Sequence, residues 1–144
     1  RIGFAVWPES LVDAATRLCV NDHSCVNAAT QHAAIAALEG PQDAVDAMMA
    51  AFARRRRVMV DGLNALPGVR CAEPGGAFYA FPNVEGTGLT AREAQDRFLS
   101  EAGVATVAGT SFGAFGEGYV RFSYANSEEN VARALARIGE LLGA

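Results

Sequence analysis

The chain predicts an α+β domain: a small, mostly antiparallel sheet with helices packed on one side. Three observations lead there. A long stretch carries apolar residues at steps of three and four, and strand-length apolar runs follow it. A helix-start signature and a closing amphipathic stretch then give the order β–β–α–β–β–α after the long helix. The first forty-four residues read differently, as a strand-like run with Ala-rich helices, and predict the end of a preceding α/β domain.

In order, "IGFAV" (2–6) is an apolar strand-like run closed by Trp7 and Pro8. Leu11, Ala15 and Leu18 recur at helical spacing, and the polar "NDHS" (21–24) is expected to break that helix. The Ala-rich stretch 27–40 suits close helix packing and ends at Gly40 and Pro41. Val45, Met48, Met49, Phe52, Met59 and Leu63 then form one helical stripe, interrupted by "RRRR" (54–57) and closed by the "ALPGV" turn. Residues 69–84 give two extended pieces hinged on Pro74, Gly75 and Gly76.

"TARE" (90–93) is a capping box, in which Thr90 and Glu93 satisfy each other's end donors. Ala94, Phe98 and Ala102 form the buried side of that helix. "VATVAG" (104–109) reads as a strand and "TSFGAFGEG" (110–118) as a glycine-rich loop. A further strand carries Val120, Phe122 and Tyr124 on one face, with Tyr119, Arg121 and Ser123 on the other. Asn126 with Glu129 is the expected start of the last helix, which buries Val131, Leu135, Ile138 and Leu142.

Totals exclude several classes. A chain that is 51% hydrophobic and 19% charged can build a core, so it is not a disordered segment. A formal net charge of −4 argues against a general binder of nucleic-acid backbone. No run reaches the roughly 18 apolar residues of a membrane span. Cys19, Cys25 and Cys71 are odd in number and irregularly spaced, which suits reduced cytosolic thiols. All twelve basic residues are Arg and there is no Lys. A chain that opens inside an apparent strand, without Met, is read as a piece of something longer.

Candidate chemistry is sparse. Cys19, His23 and Cys25 give C-x3-H-x-C, which falls short of the four ligands of structural zinc, so no metal is expected. Four consecutive arginines spread around a helix instead of forming one stripe, and read as a solvated or interface face. The 108–118 loop has phosphate-cradle glycine density, but it lacks the P-loop lysine and lies between strands. Gly75 and Gly76 permit positive φ and a close approach before a strand, and Phe78 reads as core or as the wall of a pocket. Arg121 reads equally as a solvated edge residue or as the partner of an anion.

Taken in order, "RIGFAV", "AALEGPQDAVDAMMAAFARRRRVMVDGLNALPGVRCAEPGGAFYAFPNV" and "AGVATVAGTSFGAFGEGYVRFSYANSEENVARALARI" resemble the C-terminal part of the class I/II, fold-type I aminotransferases, which use pyridoxal 5'-phosphate. The resemblance implies that residues 1–44 are the tail of the large α/β cofactor domain. It makes residues 45–144 the small domain, begun by the long interdomain helix. Arg1 matches the arginine that grips the cofactor phosphate, and Arg121 the one that takes the substrate α-carboxylate. Phe78 falls at the aromatic beside the substrate pocket. The family's Schiff-base lysine has no counterpart here, so no catalytic residue is assigned and the chain alone is expected to be inactive.

The implied parent is a cytoplasmic homodimer acting on an α-amino acid and a 2-oxo acid, with no nucleic acid or membrane partner. A C–S lyase or decarboxylase on the same fold remains open, because fold does not fix reaction. So does a freestanding, non-catalytic binding or dimerisation domain, which the missing lysine favours.

Overall fold

A computed structural model describes residues 2–144 and divides the chain into two compact units, Arg1–Ala44 and Val45–Ala144. The first unit holds α1 (Glu9–His23) and α2 (Ala28–Glu39). Neither helix has a buried residue. The expected break at 21–24 comes three residues late. Asn21, Asp22 and His23 extend α1, because Asn21 Nδ2 donates back to the Arg17 carbonyl and the His23 ring bonds Asp22. Asn27 caps α2, its side chain accepting from the Thr30 amide. The strand expected over 2–6 does not form; residues 2–8 are irregular. A strand exists only by pairing, and among the described residues no neighbouring strand pairs with this run.

The second unit is the α+β arrangement itself. α3 (Asp43–Ala65) leads in, and α4 (Ala91–Ser100) and α5 (Glu128–Leu142) follow. Between them β1 (Tyr79–Ala80), β2 (Val107–Ala108) and β3 (Val120–Ser123) form an antiparallel sheet in the order β1-β3-β2. The registers are Tyr79 opposite Ser123 and Val107 opposite Arg121. The first extended piece after α3 contributes only a single bridge, Arg70 to Asn83.

Burial follows the two periodicities. Ala80, Ala108, Val120, Phe122 and Tyr124 are buried along the inner sheet face. Met59 and Leu63 of α3, Ala94 and Phe98 of α4, and Leu135 and Ile138 of α5 join Ala80, Val120, Phe122 and Tyr124 in one hydrophobic cluster. The stripe on α3 is only half used: Met59 and Leu63 are buried, whereas Val45, Met48 and Met49 are exposed.

End chemistry fixes the helices. Thr90 and Glu93 form the complete capping box on α4, and Glu117 adds a carboxylate that accepts from the Ala91 amide at 2.8 Å. The start of α5 differs by one residue from expectation. Ser127 is the cap, its hydroxyl accepting from the Asn130 amide, while Asn126 lies outside and accepts from the Ser127 amide. Ser127 holds the extended backbone that a cap needs.

Candidate functional site

Strand alternation sets up the site. Side chains on β3 that do not enter the core must lie on the outer face, and directly opposed residues on neighbouring strands share a face. Tyr79 and Phe81 therefore join Tyr119 and Arg121 there, with Val107 beside Arg121. The rings pack as a continuous series. Phe81 stacks on Tyr119 with centroids 5.4 Å apart, and Phe112 meets Phe81 edge-on at 6.0 Å.

Arg121 is the cation of this aromatic face. Its guanidinium carbon lies 4.5 Å from the Tyr79 ring centre and 4.9 Å from that of Phe112, within the range of cation–π attraction. It is half-buried, and no carboxylate among the described residues pairs with it. Three other arginines of the second unit show what an engaged guanidinium looks like. Arg54 bonds Glu128 at 3.0 Å, Arg56 bonds Glu73 at 3.1 Å, and Arg97 bonds Glu101 at 2.7 Å. Arg121 is thus held by two rings with its planar fork of donors uncommitted, which suits a carboxylate from outside.

Phe78 sits apart from Arg121. It opposes Tyr124 at the end of β1, where the Tyr124 amide donates to its carbonyl, and it stacks on Phe52 of α3 at 6.1 Å. With Met48, Met49, Gly75 and Gly76 it lines an apolar cleft of about 530 Å³. Tyr79 connects the two places, its ring 4.6 Å from that of Phe78 while its face meets Arg121. Both glycines stand open to solvent, and neither takes a positive φ nor meets another backbone. The left-handed residue is instead Ala77, at φ 59°, and the Tyr124 hydroxyl donates to its carbonyl at 3.1 Å. The glycines thus contribute an unobstructed wall to the cleft, not the turn.

The glycine-rich loop is built by its ends. Gly109 and Gly116 meet backbone to backbone so closely that a Cβ on either would overlap the carbonyl of the other. This pinch closes two short 3-10 turns, Gly109–Phe112 and Ala114–Gly116, and sets Phe112 against Arg121 and Phe81. Tyr79 and Phe112 carried no functional expectation from the sequence. Tyr79 was reachable through its parity in the strand, but Phe112 was not, because the loop's path depends on the pinch.

Arg1 lies outside the described residues. A cofactor such as pyridoxal phosphate needs a lysine amine for its covalent link, and the chain has no Lys. The described residues therefore do not by themselves fit that group. Cys19 and Cys25 are exposed free thiols, and no metal-ligating group of three gathers among the described residues. No helix of the described residues is long and apolar enough to cross a membrane.

Comparison with known proteins is consistent along the chain. Residues 1–138 match the family model described as aminotransferase class I and II. An aspartate aminotransferase of Pyrococcus horikoshii is 39% identical over 144 residues, covering 99% of this chain and 37% of its own length. An aromatic-amino-acid aminotransferase of Thermococcus litoralis is 38% identical over 144 residues, again covering 99% and 37%. Among solved structures, an aromatic aminotransferase of Pyrococcus horikoshii superposes with a TM-score of 0.85 at 36% identity, over 94% of this chain and 37% of that one. The chain therefore spans 37% of the length of these relatives.

Proposed function

Since this chain belongs to the class I and II aminotransferases, a family generally dependent on pyridoxal phosphate, we propose that it serves in a full-length enzyme moving an amino group between an α-amino acid and a 2-oxo acid. In that reading residues 1–44 end the large cofactor domain and residues 45–144 form the small domain. The enzyme is a cytoplasmic homodimer. The alternatives of a lyase, a decarboxylase or a non-catalytic module find no counterpart among the named relatives, which are aminotransferases.

The observation that carries the proposal is Arg121 with its donors uncommitted between two rings. Two parallel N–H groups accept a carboxylate in one orientation, so the grip fixes the substrate's Cα as well as its charge. The ring faces hold the guanidinium without occupying its N–H donors. Phe78 supplies an apolar wall one residue from Tyr79. Arg1 is assigned to the cofactor phosphate. Pyridoxal phosphate, when bound, supplies the electron sink for the chemistry. The lysine that tethers it belongs to residues other than these.

The test is a panel of amino donors on the full-length protein and its Arg121→Ala variant. Amino transfer is expected, with kcat/KM in the variant reduced by an amount equivalent to about 2–5 kcal/mol, the cost of breaking a desolvated charge pair. Cofactor absorbance is retained. An unchanged kcat/KM refutes the assignment of Arg121, and elimination or CO2 release without amino transfer refutes the reaction.

A further inference from the structure

We propose that Tyr79 and Phe112 are positioning residues for Arg121: two rings, from separate elements, that clasp its guanidinium and present its donor fork to the substrate carboxylate. This rests on the reading of Arg121 as the carboxylate grip, and it adds residues to which no role has been given.

An arginine side chain has several rotatable bonds, and ordering it for one bound pose costs conformational entropy. An ion pair to a neighbouring carboxylate would order it, but would also occupy the donors. Ring faces order it without using an N–H, because a cation above a ring is attracted by the π-face while its in-plane donors stay free. The two rings do this at 4.5 and 4.9 Å.

Each ring is in turn supported. Tyr79 leans on Phe78, which stacks on Phe52 of α3. Phe112 leans on Phe81, which stacks on Tyr119. The two supports come from different parts of the unit, so Arg121 joins them. Phe112 is more than half exposed and rides on the loop pinched by Gly109 and Gly116. The Phe112 half of the clasp is therefore set by loop conformation, while the Tyr79 half is fixed in the sheet.

The experiment uses the full-length holoenzyme and two inert probes, succinate and 3-phenylpropionate, which carry a carboxylate and no amino group. Tyr79→Leu and Phe112→Leu each weaken probe binding about 3- to 30-fold, the range of one cation–π contact. Tyr79→Phe and Phe112→Tyr restore it to within about twofold, since the ring face remains. KM for amino acid and oxo acid rises in the leucine variants with kcat little changed, because the grip acts on bound substrate and transition state alike. In an Arg121→Ala background the leucine substitutions add nothing.

Exposure of both rings makes leucine tolerable at these positions, and thermal melts of each variant check folding. If Arg121→Ala leaves probe binding unchanged, the carboxylate grip itself is wrong. If Arg121→Ala weakens binding but the leucine variants match the parent, the clasp alone is wrong. It is also overturned if the leucine variants weaken binding equally without Arg121, for then the rings touch the ligand themselves.

Discussion

Tyr124 shows how one side chain serves both faces of the sheet. Its ring is 1% exposed in the core, and its hydroxyl reaches the carbonyl of Ala77, the left-handed residue that launches Phe78 and Tyr79. A non-glycine residue in that conformation costs roughly 1–2 kcal/mol, so it needs outside support. Tyr124→Phe is expected to cost about 0.5–1.5 kcal/mol, measured by urea unfolding, as for loss of one hydrogen bond. Burial also pushes the Tyr124 hydroxyl above its ordinary pKa of 10.0. Above pH 10 the unfolded chain releases this proton first, so the stabilisation is full below that value and is lost as pH rises through the raised one. The Phe variant should lack this part of the alkaline decline; an identical alkaline profile in both proteins would count against the assignment.

Among the elements, α4 is the one whose boundary was most legible, because a capping box is a local pattern satisfied by local atoms. Both Thr90 N and Thr90 Oγ1 donate to Glu93, and these bonds hold the Glu93 carboxyl below its ordinary value of 4.5. That contribution is full above 4.5 and is lost as pH falls through the lowered value. Thr90→Ala should cost about 1 kcal/mol near neutral pH, with a smaller penalty in acid where Glu93 is protonated; an equal penalty at both pH values would place the effect elsewhere. The final helix was legible in its buried face, yet its cap moved from Asn126 to Ser127, since two polar residues competed and only backbone conformation chose between them. The run at 2–6 misled because apolar β-prone residues say nothing of whether a partner strand is present. Alternation placed Arg121 on the outer face and left it equally a solvated edge residue or an anion's partner; only the family resemblance gave it a carboxylate. Its neighbours Tyr79 and Phe112 meet it through strand pairing and a loop pinch, and both of those are tertiary.

At the scale of the whole chain, burial is divided unequally between the two units. Every residue of the hydrophobic cluster lies between Met59 and Ile138, and the partly buried residues packed on it extend only from Phe52 to Leu142. The helices of the first unit contribute no buried residue. Cooperative unfolding comes from a shared core, so its determinants are contained in residues 45–144. That segment, produced alone, should unfold in a single transition, with helical and aromatic signals lost together. Its Tm should lie within about 4–8 °C of the 144-residue chain, the shift that about 1 kcal/mol produces at this size. Residues 1–44 alone should show no transition, having helices without a core to hold them. The exposed Met48, Met49 and Phe78 belong to the larger segment, so the measurement should be made at low concentration, where apolar self-association is suppressed. A broad or probe-dependent transition in 45–144 would show that the cluster depends on the first forty-four residues.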